Sequence, residues 1–289
     1  MTVPSSIERI APFPPVVLEL LNAIPLREDC NLIEYIRSEP GLSREIARVA
    51  LEAEKCTAEG AVDEESMIAS LPPADLAKIA ITIALHNYLR ITFSLPEDRR
   101  YWGYTLACAL CCAELAEPGK MDPLLAYAAG MLHDVGRLAL IQAYPEKYAN
   151  LLTLTNRMFA NDQPFDLMSY ERMLFGLDHF ATAAWLAEAW RLPAWLRPIV
   201  GKFDERASAE HRKLVETVRA GTRLAHSLGF GFLIAAPRME IRTIINQLPS
   251  ARERWRTLDA WNLAEQHLRA KIQTRLRWYA VLSHNGQEP

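Results

Sequence analysis

Along all 289 residues no segment sustains the two-residue alternation of a half-buried strand, while apolar residues recur three and four apart in one segment after another. That periodicity restricts the chain to helix packed on helix, so the expected class is all-α. Val16, Val17, Leu18, Leu20, Leu21 and Ile24 form one such run, and Leu42 to Leu51 and Asn31 to Arg37 form two more around Glu39-Pro40-Gly41. The β-branched stretch Ile79 to Leu85 could argue for strand. Its length, its 3-to-4 spacing and the absence of turn signals favour helix. Further helices are expected over 101–115, 168–175, 180–190 and 212–228, with Pro96 to Arg100, Glu117-Pro-Gly119 and Leu192-Pro193 as interruptions and 56–63 as a loop. No repeat of fixed period is visible.

Half of the residues are hydrophobic, enough to bury a core, and a formal net charge of -3 calls for neither nucleic acid nor an anionic membrane surface. The N-terminus carries Glu8, Arg9 and several prolines instead of the basic start and apolar run of a secretory signal. The longest candidate span, Ile79 to Leu85 between Lys78 and His86, is far short of the roughly 20 residues that span a bilayer. A cytoplasmic protein with no membrane contact is therefore expected. Of five cysteines, Cys108, Cys111 and Cys112 share one helix face, and without a second cysteine pair they read as small buried hydrophobes and not as a zinc site.

The stretch with the most chemical content is Asp122-Pro-Leu-Leu-Ala-Tyr-Ala-Ala-Gly-Met-Leu-His-Asp-Val-Gly-Arg137. Asp122 is a helix cap, Pro123 a first helical residue and Gly136 a stop, so one helix is expected with His133-Asp134 at its C-terminal end and a short apolar helix after it to about Ala143. Adjacent residues in a helix interior point about 100° apart, but a terminus lets an imidazole and a carboxylate turn to one divalent ion. The bland alternative is a capping histidine beside a partly exposed aspartate. Beyond it, Trp102, Trp185 and Trp190 read as core anchors. Gly229 and Gly231 lack the preceding strand and the lysine of a phosphate loop, so they mark a helix end and a boundary. Residues 238–289 hold nine basic against five acidic residues, and Leu258, Trp261, Ala264, Leu268, Ile272, Leu276 and Tyr279 fall on one helical stripe. The stripe either folds back onto the domain or forms a homodimer seam. Nucleic acid is not the expected partner, because no aromatic-lined face gathers the basic residues.

The segments Phe13-Pro-Pro-Val-Val-Leu-Glu-Leu-Leu21, Tyr101-Trp102-Gly-Tyr-Thr105, Ala129-Gly-Met-Leu-His-Asp-Val-Gly-Arg-Leu138, Glu171-Arg-Met-Leu-Phe-Gly-Leu-Asp-His179 and Trp190-Arg-Leu-Pro193 together resemble the HDOD domain, a signalling-associated relative of the HD phosphohydrolases. The resemblance covers roughly 12–230. It implies a helical bundle in two unequal lobes, 12–95 and an HD-like 96–230, with 238–289 as a C-terminal helical extension. Active HD enzymes hold metal with a His, a His-Asp pair and a later Asp. The resemblance puts His133 and Asp134 at the pair, but Tyr104 and Thr222 where the outer two ligands would stand. A phenol of pKa about 10 and a hydroxyl are poor ligands near neutral pH. Gly201-Lys-Phe-Asp204 stands where the HD-GYP phosphodiesterases add histidines. The expectation is a protein without cofactor, metal or catalytic residue, acting in bacterial-type signalling through an unidentified signalling protein. Two alternatives stay open: a divergent phosphohydrolase that recruits His86 or His179, and a nucleotide sensor in which Arg137 meets an anionic group. His179 beside Asp178 reads as a cap or core residue, or else faces His133 across the old pocket.

Overall fold

The computed structural model describes residues 3–10, 12–13, 15–24, 36, 40–54, 66, 68–69, 71–89, 96–116, 121–200, 209–248, 255 and 257–280. No strand occurs among them, and the fold is an all-α bundle. In chain order the helices are α1 (Ser5–Glu8), α2 (Pro15–Ala23), α3 (Pro40–Glu54), α4 (Pro73–Leu89), α5 (Pro96–Ala116), α6 (Pro123–Leu132), α7 (Val135–Ala143), α8 (Pro145–Ala160), α9 (Leu167–Phe175), α10 (His179–Ala189), α11 (Arg197–Val200), α12 (Ala209–Ala225), α13 (Ile241–Asn246) and α14 (Leu258–Ala280). The expected segments 31–37 and 56–63, the Glu117-Pro-Gly119 break and Gly201 to Asp204 lie outside the described residues, apart from Ile36.

Proline sets the punctuation. Six helices, α2 to α6 and α8, have proline as their first residue, where the missing N–H is one that helix geometry leaves unbonded anyway. Pro96 to Arg100 is therefore the first turn of α5 and no interruption, which moves the start of that helix from the expected Tyr101. Ile79 to Leu85 is helical, inside α4. α4 and α5 are apolar nearly all round and lie in the middle of the molecule, with Leu76, Ile79, Ile83 and Leu85 of one and Tyr101, Leu106, Ala107 and Leu115 of the other buried. The smaller lobe is built from α2, α3 and α4, and α4 carries it onto α6 and α7 of the larger one.

α5 packs most extensively on α6 and α12, and the three meet at Cys112. A Cβ on Gly130 would lie 2.8 Å from both Cys112 Sγ and Ala109 Cα, and one on Gly221 would overlap Cys112 Sγ. Glycine at both positions lets the two flanking helices close on α5. Cys108, Cys111 and Cys112 are fully buried, and burial pushes each thiol well above its ordinary range, so they serve as apolar filling here.

α14 turns back onto the bundle. Trp261, Leu268, Ile272 and Tyr279 of the expected stripe are buried, with Ala264 and Leu276 packed beside them, against α5 and α3. Lys271 lies 3.8 Å from Glu114 and Arg275 3.8 Å from Asp75, and the Arg269 guanidinium donates to the Leu228 carbonyl. The helix is thus part of the same continuous core. Of the tryptophans read as anchors, Trp102 and Trp190 are buried and Trp185 only partly so.

The expected Asp122–Arg137 helix is two helices. Asp122 does cap α6, accepting from the Leu124 N–H at 2.8 Å, but the break falls at His133-Asp134 and not at Gly136. Gly136 lies inside α7 because α10 passes against it: a Cβ there would overlap the His179 carbonyl oxygen and lie 2.7 Å from the Ala183 nitrogen. Among the described residues Pro123–Ala143, and not Ile79 to Leu85, has the length and composition of a membrane span, and 78% of its most apolar part is buried inside the bundle. Its hydrophobicity is accounted for by that packing.

Candidate functional site

The break between α6 and α7 turns His133 and Asp134 in different directions. His133, the last cap of α6, places Nδ1 2.7 Å from the Gly130 carbonyl oxygen, which only an N–H can satisfy, so Nδ1 carries the proton. Its ring meets Tyr104 edge-on with centroids 5.8 Å apart. Asp134 points inward, and its Oδ2 accepts from the Tyr101 hydroxyl at 2.5 Å and from Arg137 Nε at 2.7 Å. Arg137, one turn on, is buried and bonded on every nitrogen. Nη1 donates to the Tyr148 hydroxyl (2.9 Å) and to Glu171 Oε1 (3.1 Å), and Nη2 to His179 Nε2 at 3.0 Å. The ring of Phe232 lies 4.9 Å from its Cζ.

Glu171 closes the network. Its Oε1 accepts from the Tyr148 hydroxyl, and its Oε2 from both the backbone N–H and Nδ1 of His179. A guanidinium has no lone pair to offer, so His179 Nε2 must accept and its ring proton sits on Nδ1, facing Glu171. Asp178 is the actual cap of α10, accepting from the Ala181 N–H at 2.8 Å. His179 is thus a buried member of the polar network, and its hydrogen bonds go to Glu171 and Arg137, not to His133.

The electrostatics follow from these contacts. Burial alone would raise the Asp134 carboxyl, but the Arg137 charge, with lesser help from His179, His133 and the Tyr101 hydroxyl, holds it below its usual range. Glu171 behaves alike: the His179 hydrogen bond and the Arg137 charge outweigh its burial and keep it low. Burial pushes Tyr101, Tyr104 and Tyr148 well above the ordinary phenol value. Burial also lowers His133 below 6.5, against the opposing Asp134 carboxylate.

These depressed values have one sign. Asp134, Glu171 and His133 each release a proton more readily folded than unfolded, so each contributes stability above its unfolded pKa and loses it as pH falls through its folded one. The urea midpoint should hold level from about pH 8 to 7, decline once pH passes below 6.5 as unfolded His133 gains its proton, and decline again below 4.5. His133→Asn should flatten the first decline and leave the second.

The donor set does not fit the metal that the HD scaffold implies. Asp134 Oδ2 is already committed to a fixed cation and a phenol, and Arg137 would repel a second positive charge beside it. Tyr104 presents a phenol pushed up by burial. Thr222, at the end of α12, donates to the Arg219 carbonyl of its own helix at 2.9 Å. Among the described residues no three His, Cys, Asp or Glu side chains gather as a metal site. His86 is buried in α4, edge-on to Trp102 at 5.2 Å. Of the residues expected at the site, the structure brings Tyr104 to His133 and joins Asp134, Arg137 and His179 in one network. Sequence reasoning missed Tyr101, Tyr148, Glu171 and Phe232 as partners, although Tyr101 and Glu171 lie inside the segments that carried the resemblance.

The HDOD domain profile matches residues 12–203. The chain belongs to the HDOD family. Solved structures share the fold of this HDOD protein over nearly its whole length. An HDOD domain protein of unknown function from Geobacter sulfurreducens superposes with a TM-score of 0.70 at 17% identity, covering 95% of this chain and 94% of that one. A protein from Marinobacter aquaeolei VT8, provisionally named for signal transduction, gives 0.65 at 19% identity over 96% of this chain and 63% of its own. One from Shewanella amazonensis SB2B, provisionally named a phosphohydrolase, gives 0.58 at 19% identity over 94% and 96%. No curated protein matches the chain.

Proposed function

We propose that this HDOD protein is a cytoplasmic regulatory module that acts by binding a signalling protein and does not turn over a phosphate ester. The observation that carries the reading is the pairing of Asp134 with Arg137 and Tyr101. In a metal hydrolase that carboxylate would hold the ion whose charge lowers the pKa of bound water. Here a guanidinium supplies the positive charge, has no open coordination position and activates nothing. Tyr104 and Thr222 supply no anionic or imidazole ligand to compensate. The family, and the signal-transduction name of the Marinobacter neighbour, support a regulatory role on the same scaffold. A homodimer seam on α14 would have to use the outward face, where Leu263 is 70% exposed, since the inner stripe is buried within the chain.

The test is metal analysis with hydrolysis assays on phosphomonoesters and cyclic dinucleotides, after supply of iron, manganese or zinc. Substoichiometric metal and no turnover above buffer are expected. A stoichiometric ion, with hydrolysis abolished by Asp134→Asn, would establish the divergent phosphohydrolase instead.

A further inference from the structure

Beside the Asp134–Arg137 network, where α5 meets the turn after α12, lies a cavity of about 360 Å³. Its rim holds Arg99 and Arg100 from the first turn of α5, Arg238 before α13, and His226. None of its lining residues is acidic, in a chain whose net charge is -3. Arg100 is only partly buried and Arg238 exposed, and among the described residues neither has an ion-pair partner. The apolar part of its lining is formed by Phe230, Leu233, Ile234 and Leu276. Gly229, at φ +93°, and Gly231 shape the wall: a Cβ on Gly231 would overlap the His226 ring. These are the two glycines that fail as a phosphate loop by sequence, and they end up beside arginines all the same.

From this arrangement we infer that the cavity binds a small phosphorylated ligand of nucleoside monophosphate size, its phosphate held by the guanidinium forks of Arg100 and Arg238 and its planar part on the apolar lining around Phe230. Guanidinium forks match phosphate oxygens two at a time, and concave sites of about 300 to 1,000 Å³ with an apolar floor and a few convergent polar groups are the usual form of a small-ligand pocket. The anion-receptive arginine is thus not Arg137, which Asp134 and Glu171 already neutralise. Phe232, which lies in the chain between the lining residues Gly231 and Leu233, meets Tyr101 edge-on and Tyr104 at a tilt with centroids 5.4 and 5.0 Å apart, so this segment is anchored in the neighbouring network. Ligand binding here and the absence of hydrolysis at Asp134 are nevertheless separate properties, read by separate assays.

The test is isothermal calorimetry of the full chain with AMP, GMP, CMP and UMP, with inorganic phosphate and adenosine as part-ligands, and co-sedimentation with anionic phospholipid vesicles. At least one nucleotide should bind, more tightly than phosphate or adenosine. Arg100→Ala with Arg238→Ala should weaken it by about tenfold or more, the loss expected for charge-assisted hydrogen bonds. Arg238→Glu, at an exposed position that leaves the circular dichroism unchanged, should weaken it in the same direction. The assignment is overturned if none of the four nucleotides binds at millimolar concentration, if binding survives both arginine variants unchanged, or if only the vesicles are bound.

Discussion

Replacing Arg137 with methionine should lower the stability of this HDOD protein by about 3 to 5 kcal/mol, the cost of removing one partner from a buried ion network. Methionine fills similar space, so the loss is electrostatic. Asp134 and Glu171 would remain buried, and Glu171 would keep its hydrogen bonds from Tyr148 and His179, but both would lack their cation. Arg137→Lys should recover only part, since a single ammonium cannot reach Asp134, Glu171, Tyr148 and His179 together. Adding Asp134→Asn to Arg137→Met should cost less than the two singles summed, because the first change already removes the charge that the second strands. Urea unfolding followed by circular dichroism measures all four. A loss under about 1 kcal/mol for Arg137→Met, the range of an exposed ion pair, would mean that the network is open to water.

The second large effect is expected at Gly136. Alanine there should destabilise by about 3 kcal/mol or more, because the added methyl meets the backbone of α10 at His179 and Ala183, not a side chain that can rotate away. Separating α7 from α10 would also pull Arg137 from His179. Gly41 in α3 is the matched control: a Cβ there meets nothing within 4 Å, so Gly41→Ala should be neutral or stabilise by up to about 1 kcal/mol through helix propensity. Equal effects at the two sites would show that the α7–α10 contact is loosely packed.

Helix spacing made the class and most elements legible before any coordinates, because burying one face of a helix requires apolar residues three and four apart. Boundaries were less legible where one residue type has two uses. Pro96 looks like a breaker and is a first helical residue, and Gly136 looks like a stop and is a close contact. The α14 stripe was visible, but the helices that receive it were not, since their matching apolar faces are spread over distant segments. Asp134 and Arg137, three residues apart, could be paired by eye. Glu171, 34 residues beyond Arg137, could not, nor could Tyr148, whose hydroxyl lies between Arg137 and Glu171.

The guanidinium at Arg137 also limits how this scaffold can change. An ion and Arg137 compete for the same carboxylate, so a route to metal chemistry must first discard the arginine. On the proposed reading, with Tyr104 and Thr222 in place, that variant would carry the full loss of stability and no ion would offset it. Restoring the outer ligands first gains little, because the positive charge still repels the metal they would hold. On the proposed reading the arrangement works as a ratchet: gaining metal chemistry needs several coordinated substitutions, and each one taken alone leads downhill.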